Sequence, residues 1–491
     1  MNLLIDTNIV IPLEPGSALD EEVNTEVAIN FHSLANQSNN ILCIHPAIDY
    51  DLSRDKDNAR TNIRRKLIKR YKLIPSPPDV KILPSEIVGT PEIGSNDYVD
   101  NCLLAAVKDD AVDFLVTEDK RIHSKAEHIG LQSRVLLLQD ALALLHDLFD
   151  VPPLPPPSVT ECYVHELNVA DEIFNSLRND YAPEFDEWLK KCKREHRKAY
   201  IIRDEGEVRL AGLVILKKET GLPTGILGKT LKLCTFKVST HNSGNRYGEL
   251  LLKTICDYAS KNKYKHLYFT AFSKRENLIS FAKSFGFEIS ESLTNINENI
   301  ICKSLDYTLD DMMSLSPFEF HLRFGPRAVS FYNNSTFIVP IEPQYHKLLF
   351  PELEKQALLI PDLRPCGHSI KKAYLCHART NQLSRGDNIL IYRSHDISAL
   401  TAIGVVEDTL RSNDADSIAR YVGSSTVYRY DEIQSLCHKP VLVIKFRFAK
   451  ELDKPVSLEE LRENLIIQGQ PQSISKIPQE KIECIKALIR M

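Results

Sequence analysis

The stretch THNSGNRYGELLLKTI, Thr240 to Ile255, joins an apolar strand pattern over Thr230–Thr240 to a helix pattern whose apolar positions include Leu250, Leu251, Ile255 and Tyr258. Glycines at a strand-to-helix junction let backbone N–H groups approach a phosphate at the positive end of the helix, although a glycine pair such as Gly244 and Gly248 also serves a plain tight turn. Outward from this junction the pattern predicts strands near Lys198–Ile202, Val208–Lys217 and His266–Ala271. It also predicts helices over about Asp171–Arg178 and Tyr247–Lys261, and a short helix that ends at Ser284-Phe285-Gly286-Phe287. The result is an α+β unit that closes near Leu305.

On its N-terminal side the unit is bounded by VPPLPPPS, Val151 to Ser158, where five prolines in eight residues predict a stiff linker. Before the linker, the apolar pieces LLIDTNIVI, ILCIHP and DFLVTED alternate with helical patterns such as Asp20–Ala35, which predicts a parallel α/β sheet. After Leu305 a polar stretch, Asp306–Phe324, reads as a second linker. Short strands at Ser335–Ile341, Asn388–Tyr392, Ala402–Glu407 and Pro440–Phe448, with the turn signal Gly386-Asp387, then predict a small β-barrel. The expected fold class is a multidomain α/β protein with domains at 1–150, 159–305 and 325–491, joined by linkers at 151–158 and 306–324.

With 491 residues, 43% hydrophobic and 26% charged, the composition excludes disordered and fibrous classes. The longest apolar run, Val135–Phe149, is broken by Gln139, Asp140, His146 and Asp147, so no membrane span is expected. Asp6 interrupts the apolar start, with no basic residue before it, which argues against a signal peptide and for a cytoplasmic location. Eleven scattered cysteines, from Cys43 to Cys484, read as reduced thiols. At a net charge of −5, contact with nucleic acid has to come from local patches. Cys366, His368, Cys376 and His377 have a spacing that fits no standard zinc pattern.

Four carboxylates stand at strand ends or on a first helical turn: Asp6, Asp51, Asp100 and Asp119. A parallel sheet gathers its strand C-termini at one edge, and carboxylates crowded there repel unless a cation sits among them; an all-oxygen set suits Mg²⁺ or Mn²⁺. Each Asp taken singly reads equally as a helix cap or turn residue. Asp6-Thr7-Asn8, the segment Pro46 to Leu52 with Asp51 at a position usually held by Glu, Asp100, and Leu115-Val116-Thr117-Glu118-Asp119 together resemble the PIN family of metal-dependent ribonucleases over residues 1–150. The resemblance implies an endoribonuclease in which Asp6, Asp51, Asp100 and Asp119 hold the metal ion, with either Asp97 or Asp100 as the third ligand. Seven of the thirteen residues from Arg60 to Lys72 are basic, and Arg64, Arg65 and Lys69 are the expected RNA contacts, a solvated charged face being the other reading.

The central junction, in its surroundings, resembles the GNAT acetyltransferases over about residues 160–305. Asn242, Ser243, Gly244, Asn245, Arg246, Tyr247 and Gly248 stand at that family's acyl-CoA pyrophosphate loop, and Asn277 begins the stretch resembling its later helix, so acetyl-CoA is the implied cofactor. Arg246 replaces a central glycine, and Ala282 stands where a tyrosine general acid is common. Residues 325–491 resemble PUA-like barrels of the EVE and ASCH type, most strongly in Arg385-Gly386-Asp387-Asn388-Ile389-Leu390-Ile391-Tyr392. That resemblance implies binding of RNA or a modified base, for which Tyr345 and Tyr392 supply stacking and Gln472 and Ser473 supply edge hydrogen bonds, against a reading as barrel packing and capping. The leading expectation is a metal-dependent ribonuclease with an acetyl-CoA-binding domain, acting on tRNA or mRNA. Its resemblance to bacterial toxins implies an antitoxin partner. The alternatives are an N-acetyltransferase of a protein or aminoacyl-tRNA amine, and a nucleic-acid-binding regulator without turnover.

Overall fold

The computed structural model describes residues 1–13, 25–38, 40–54, 61, 64–65, 68–149, 158–203, 209–239, 246–294, 296–353 and 365–490. They form three sheets in two units, one comprising Met1–Val151 with Ser412–Pro440, the other Pro152–Arg411 with Val441–Met491. Among the described residues no helix is long and apolar enough to cross a membrane.

In the first unit β1 (Asn2–Ile5), β2 (Ile41–Ile44), β3 (Lys72–Leu73), β4 (Phe114–Val116) and β5 (Val135–Leu136) form a sheet of order β3-β2-β1-β4-β5. Every pairing is parallel. Helices intervene between the strands, so the central ones are covered on both faces and read as unbroken apolar runs; Leu3, Leu4, Phe114, Leu115 and Val116 are all buried. The LLIDTNIVI segment divides in two. Its strand ends at Ile5, and the Asp6 carbonyl accepts the N–H groups of Ile9 and Val10, starting the helix Thr7–Leu13.

This unit also contains Ser412–Pro440, which the sequence places with the C-terminal barrel. The helices Ala415–Val422 and Tyr430–Leu436 and the segment between them bury Ile418, Val422, Val427, Tyr428 and Ile433, and Arg420 pairs with Asp113 at 3.3 Å.

In the second unit β6 (Thr160–Tyr163), β7 (Lys198–Arg203), β8 (Leu210–Gly221), β9 (Leu227–Val238), β10 (His266–Ala271), β11 (Glu288–Leu293) and β12 (Asn299–Ser304) run in the order β11-β12-β10-β9-β8-β7-β6. Only β9 and β10 pair in parallel. The helix Tyr247–Lys261 makes that parallel crossover and buries Leu250, Leu251, Leu252 and Ile255.

A third sheet, β13 (Thr336–Ile341), β14 (Lys371–Cys376), β15 (Asn388–Arg393), β16 (Ala399–Ser412), β17 (Val441–Ser457) and β18 (Ser475–Lys476), has the order β14-β17-β16-β15-β13-β18. Among the described residues its edge strands β14 and β18 do not pair with each other, so the expected closed barrel is not formed.

Asp306–Phe324 is not a linker either. It folds into the helices Leu309–Ser314 and Pro317–Phe324, each opened by a reciprocal cap, Thr308 with Asp311 and Ser316 with Glu319. Its sequence looks polar because the buried residues Phe318, Phe320, His321 and Phe324 are interspersed with Glu319 and Arg323. Buried Lys303 ties this segment to the second sheet by donating to the carbonyls of Phe285, Leu322 and Arg323 at 2.9, 2.8 and 2.8 Å. Burial lowers the Lys303 ammonium to about 7. Gly286, at φ +77°, meets the same segment so closely that a Cβ there would fall 1.8 Å from the Leu322 oxygen.

Candidate functional site

The strands β9 and β10 are paired only at His266↔Thr230, Leu267↔Leu231 and Tyr268↔Lys232. Beyond these pairs β9 continues to Val238 and β10 to Ala271 with no further rungs between them, so the two strands part toward their C-terminal ends. Main-chain groups left without a ladder partner are hydrogen-bonding sites for a ligand lying between the strands.

The chain runs from β9 into the helix Tyr247–Lys261, and the positive end of that helix opens beside the gap. Of the expected phosphate-binding residues, Asn242, Ser243, Gly244 and Asn245 lie outside the described residues. Arg246 takes a left-handed φ of 56° just before the helix and pairs with Glu249 at 2.5 Å. Gly248 keeps the first turn close to two aromatic rings: a Cβ there would stand 3.5 Å from Phe281 and 4.0 Å from Phe236. Asn277 is exposed on the helix Glu276–Ser284, while Ala282 of the same helix is in the core.

Loops that no sequence pattern marks meet at the C-terminal end of β10. Tyr181 follows the helix Asn175–Asp180 and packs its ring on Phe272, just past β10, at 5.2 Å between centroids. Its hydroxyl donates a short hydrogen bond to Glu298, a buried carboxylate one residue before β12. Asn299 stands opposite Ala271, which sets Glu298 level with the end of β10. Burial, then the hydrogen bond to Glu298, raises the Tyr181 phenol and keeps it protonated. Neighbouring Asp180 holds Lys274 at 2.8 Å and also pairs with Arg275. On the β9 side, burial followed by the charge of Arg275 lowers the Lys237 ammonium, with Asp180 acting against it.

In the first unit the four expected carboxylates do gather at the C-terminal edge of the parallel sheet. Asp6 accepts from Thr117 Oγ1 at 2.6 Å and from Asn8 at 2.8 Å, and Thr7 Oγ1 bridges to Asp51 at 2.9 Å. Burial raises Asp6 to about 6, assisted by the charges of Asp51 and Asp100, and burial likewise raises Asp100 to about 6 against the pull of Lys125. For Asp119 burial pushes upward, but the hydrogen bonds from Arg121 outweigh it and hold the carboxyl below its usual value.

Each remaining acid has a cation at hand. Arg54 lies 2.5 Å from Asp51, Arg121 lies 3.2 Å from Asp119, and Lys125 lies 3.2 Å from Asp97 and 3.6 Å from Asp100. Among the described residues no group of three or more His, Cys, Asp or Glu side chains is arranged to hold a metal ion. The side chains expected to bind Mg²⁺ or Mn²⁺ thus pair with cations of the chain itself, and the expected metal site gains no support among the described residues. Asp97 is exposed and turned to Lys125, whereas Asp100 is buried.

The expected nucleic-acid contacts are not brought together. Arg65 pairs with Asp49 at 2.9 Å, Arg64 is half-buried, and Lys69 is exposed in the short turn Ile68–Arg70. Tyr392 is fully buried in the core with Leu390, Leu400 and Ile403, so its ring is closed to a base. Tyr345 is half-buried on the helix Pro343–Leu349, and Gln472 and Ser473 are exposed ahead of β18.

No curated protein matches the chain. Among solved structures, ASCH from Zymomonas mobilis is similar at 13% identity and a TM-score of 0.25, over 31% of this chain and 94% of that one. An N-acetyltransferase from Staphylococcus aureus Mu50 is similar at 16% identity and a TM-score of 0.25, over 31% and 99%. The PaiA N-acetyltransferase from Thermoplasma acidophilum, in complex with coenzyme A, is similar at 16% and 0.24, over 30% and 99%. The family model described as "Acetyltransferase (GNAT) family" matches residues 163–287, a span that takes in β7 to β10, the parted strands and the helix between them. Within this multidomain α/β chain, the region that holds the gap is a GNAT acetyltransferase domain.

Proposed function

We propose that the protein is an acetyl-CoA-dependent N-acetyltransferase, with the thioester between the parted ends of β9 and β10 and the cofactor phosphates on the turn ahead of Tyr247. The observation that carries this reading is that the family match over residues 163–287 takes in the parting of β9 from β10. The chemistry agrees. A helix N-terminus favours a pyrophosphate, and unpaired strand edges suit the amides of a pantetheine arm.

The acceptor is a primary amine, which has to lose a proton before it attacks the thioester carbonyl. Ala282, buried in the core, supplies no acid or base. The ribonuclease reading lacks comparable support, because cations of the chain itself answer the carboxylates it needs. Titration calorimetry with acetyl-CoA should show saturable heat, and labelled acetyl groups should pass to a lysine peptide or a polyamine. Neither heat nor transfer would remove the reading.

A further inference from the structure

We propose that the cavity between the helix Tyr247–Lys261 and β17 binds a small zwitterion, an apolar amino acid or dipeptide whose ammonium group meets Glu451 and Asp453 and whose carboxylate meets Lys450. The inference stands apart from the acetyltransferase reading, because none of the residues that line this cavity belongs to β9, to β10 or to the turn ahead of Tyr247.

The cavity measures about 600 Å³, a size usual for a small-molecule site. One wall is a single face of the helix, since Leu250, Lys253, Asp257 and Lys261 recur three and four residues apart. The other is β17 from Phe448 to Asp453. The charges on these walls divide into two sets. Lys253 holds Glu352 at 2.7 Å, Lys261 holds Asp257 at 2.6 Å, and Arg327 also pairs with Asp257. Lys450, Glu451 and Asp453 form the second set, and among the described residues none of them has an ion-pair partner.

The second set is under-compensated in both signs. Burial, then the charge of Arg327, lowers the Lys450 ammonium, and burial, then the charge of Glu352, raises the Glu451 carboxyl. A ligand with a single sign of charge would relieve one of these groups and be repelled by the other. A zwitterion relieves both, its ammonium beside the two carboxylates and its carboxylate beside the lysine. Val159, Leu250 and Phe448 give its apolar body a surface to cover. His368, 6% exposed, completes the lining on this side. Its Nε2 has no hydrogen-bond partner, and burial lowers the imidazole to about 3, so the ring is neutral and carries one donor and one acceptor nitrogen.

The test titrates the full chain by calorimetry with L-leucine and with leucylleucine, and beside them with isoamylamine and isocaproate, which keep the apolar body of leucine but only one charge each. The zwitterions should give saturable heat, and each single-charge analogue should bind at least ~10-fold more weakly, the loss expected when a charge-assisted hydrogen bond goes. Glu451→Gln combined with Asp453→Asn, and separately Lys450→Met, should each weaken zwitterion binding by ~10-fold or more on the same grounds. Glu451 and Asp453 are exposed, so their amides leave the packing of β17 intact. No heat with either zwitterion, an analogue that binds as tightly as leucine, or full affinity in both variants overturns the site.

Discussion

Asp6 and Asp100 show how a single residue type changes meaning with its surroundings. Both are carboxyls raised to about 6 chiefly by burial, so the folded protein holds their protons more tightly than the unfolded chain does. Their contribution to stability is therefore complete below the unfolded value and is lost as pH rises through about 6. The first unit should weaken between about pH 4 and pH 6 by on the order of 3 kcal/mol for a carboxyl raised by about two units. Hydrogen exchange of β1 and β4 amides across that range checks this. In Asp6→Asn the dependence should flatten by as much as one proton; an unaltered slope would mean that Asp6 is not the titrating group.

At the scale of elements, the helix Pro317–Phe324 is the clearest case of a segment whose polar look conceals a packed face. Phe320 is fully buried and meets Phe324 at 5.2 Å between ring centroids. Replacing it with alanine should destabilise the second unit by about 3–5 kcal/mol, read as a lower urea midpoint. A true linker would show almost no change. The helix Tyr247–Lys261 has a similar double duty. Its Glu249 pairs with Arg246 and accepts the N–H groups of Ile370 and Lys371 at 2.8 and 3.3 Å, so the first turn of this helix is anchored to the entry of β14.

For the whole molecule, the feature that matters is the course of the chain. It leaves the second unit at Arg411, contributes Ser412–Pro440 to the first, and returns at Val441. The inserted segment buries five large side chains in the first unit, and each such burial is worth about 1.5–3 kcal/mol, so their sum rivals the ~5–15 kcal/mol net stability of an ordinary domain. A short Gly/Ser loop in place of residues 413–439 should therefore unfold the first unit at a markedly lower temperature while leaving the exchange protection of β8 and β9 intact. Equal melting of both proteins would show that the insert is dispensable.

What the sequence by itself determined is what depends on near neighbours. Periodicity located β10 at His266–Ala271 and the helix Tyr247–Lys261, and the strand-turn-helix junction between β9 and that helix was legible because its residues are contiguous. The parallel character of the first sheet and the gathering of its carboxylates at one edge were legible too, since alternation of strand and helix sends strand C-termini to the same side. Only the tertiary structure decided which charges would meet. Arg54, Arg121 and Lys125 look like surface residues in a string of letters, yet they sit beside the acids and pair with them. Tyr181 and Glu298 are 117 positions apart and belong to loops without a motif, so nothing local could join them. Coulomb forces and hydrogen bonds depend on distance in space, whereas sequence patterns report distance along the chain, and it is at the end of β10 and at the carboxylate edge that the two measures diverge.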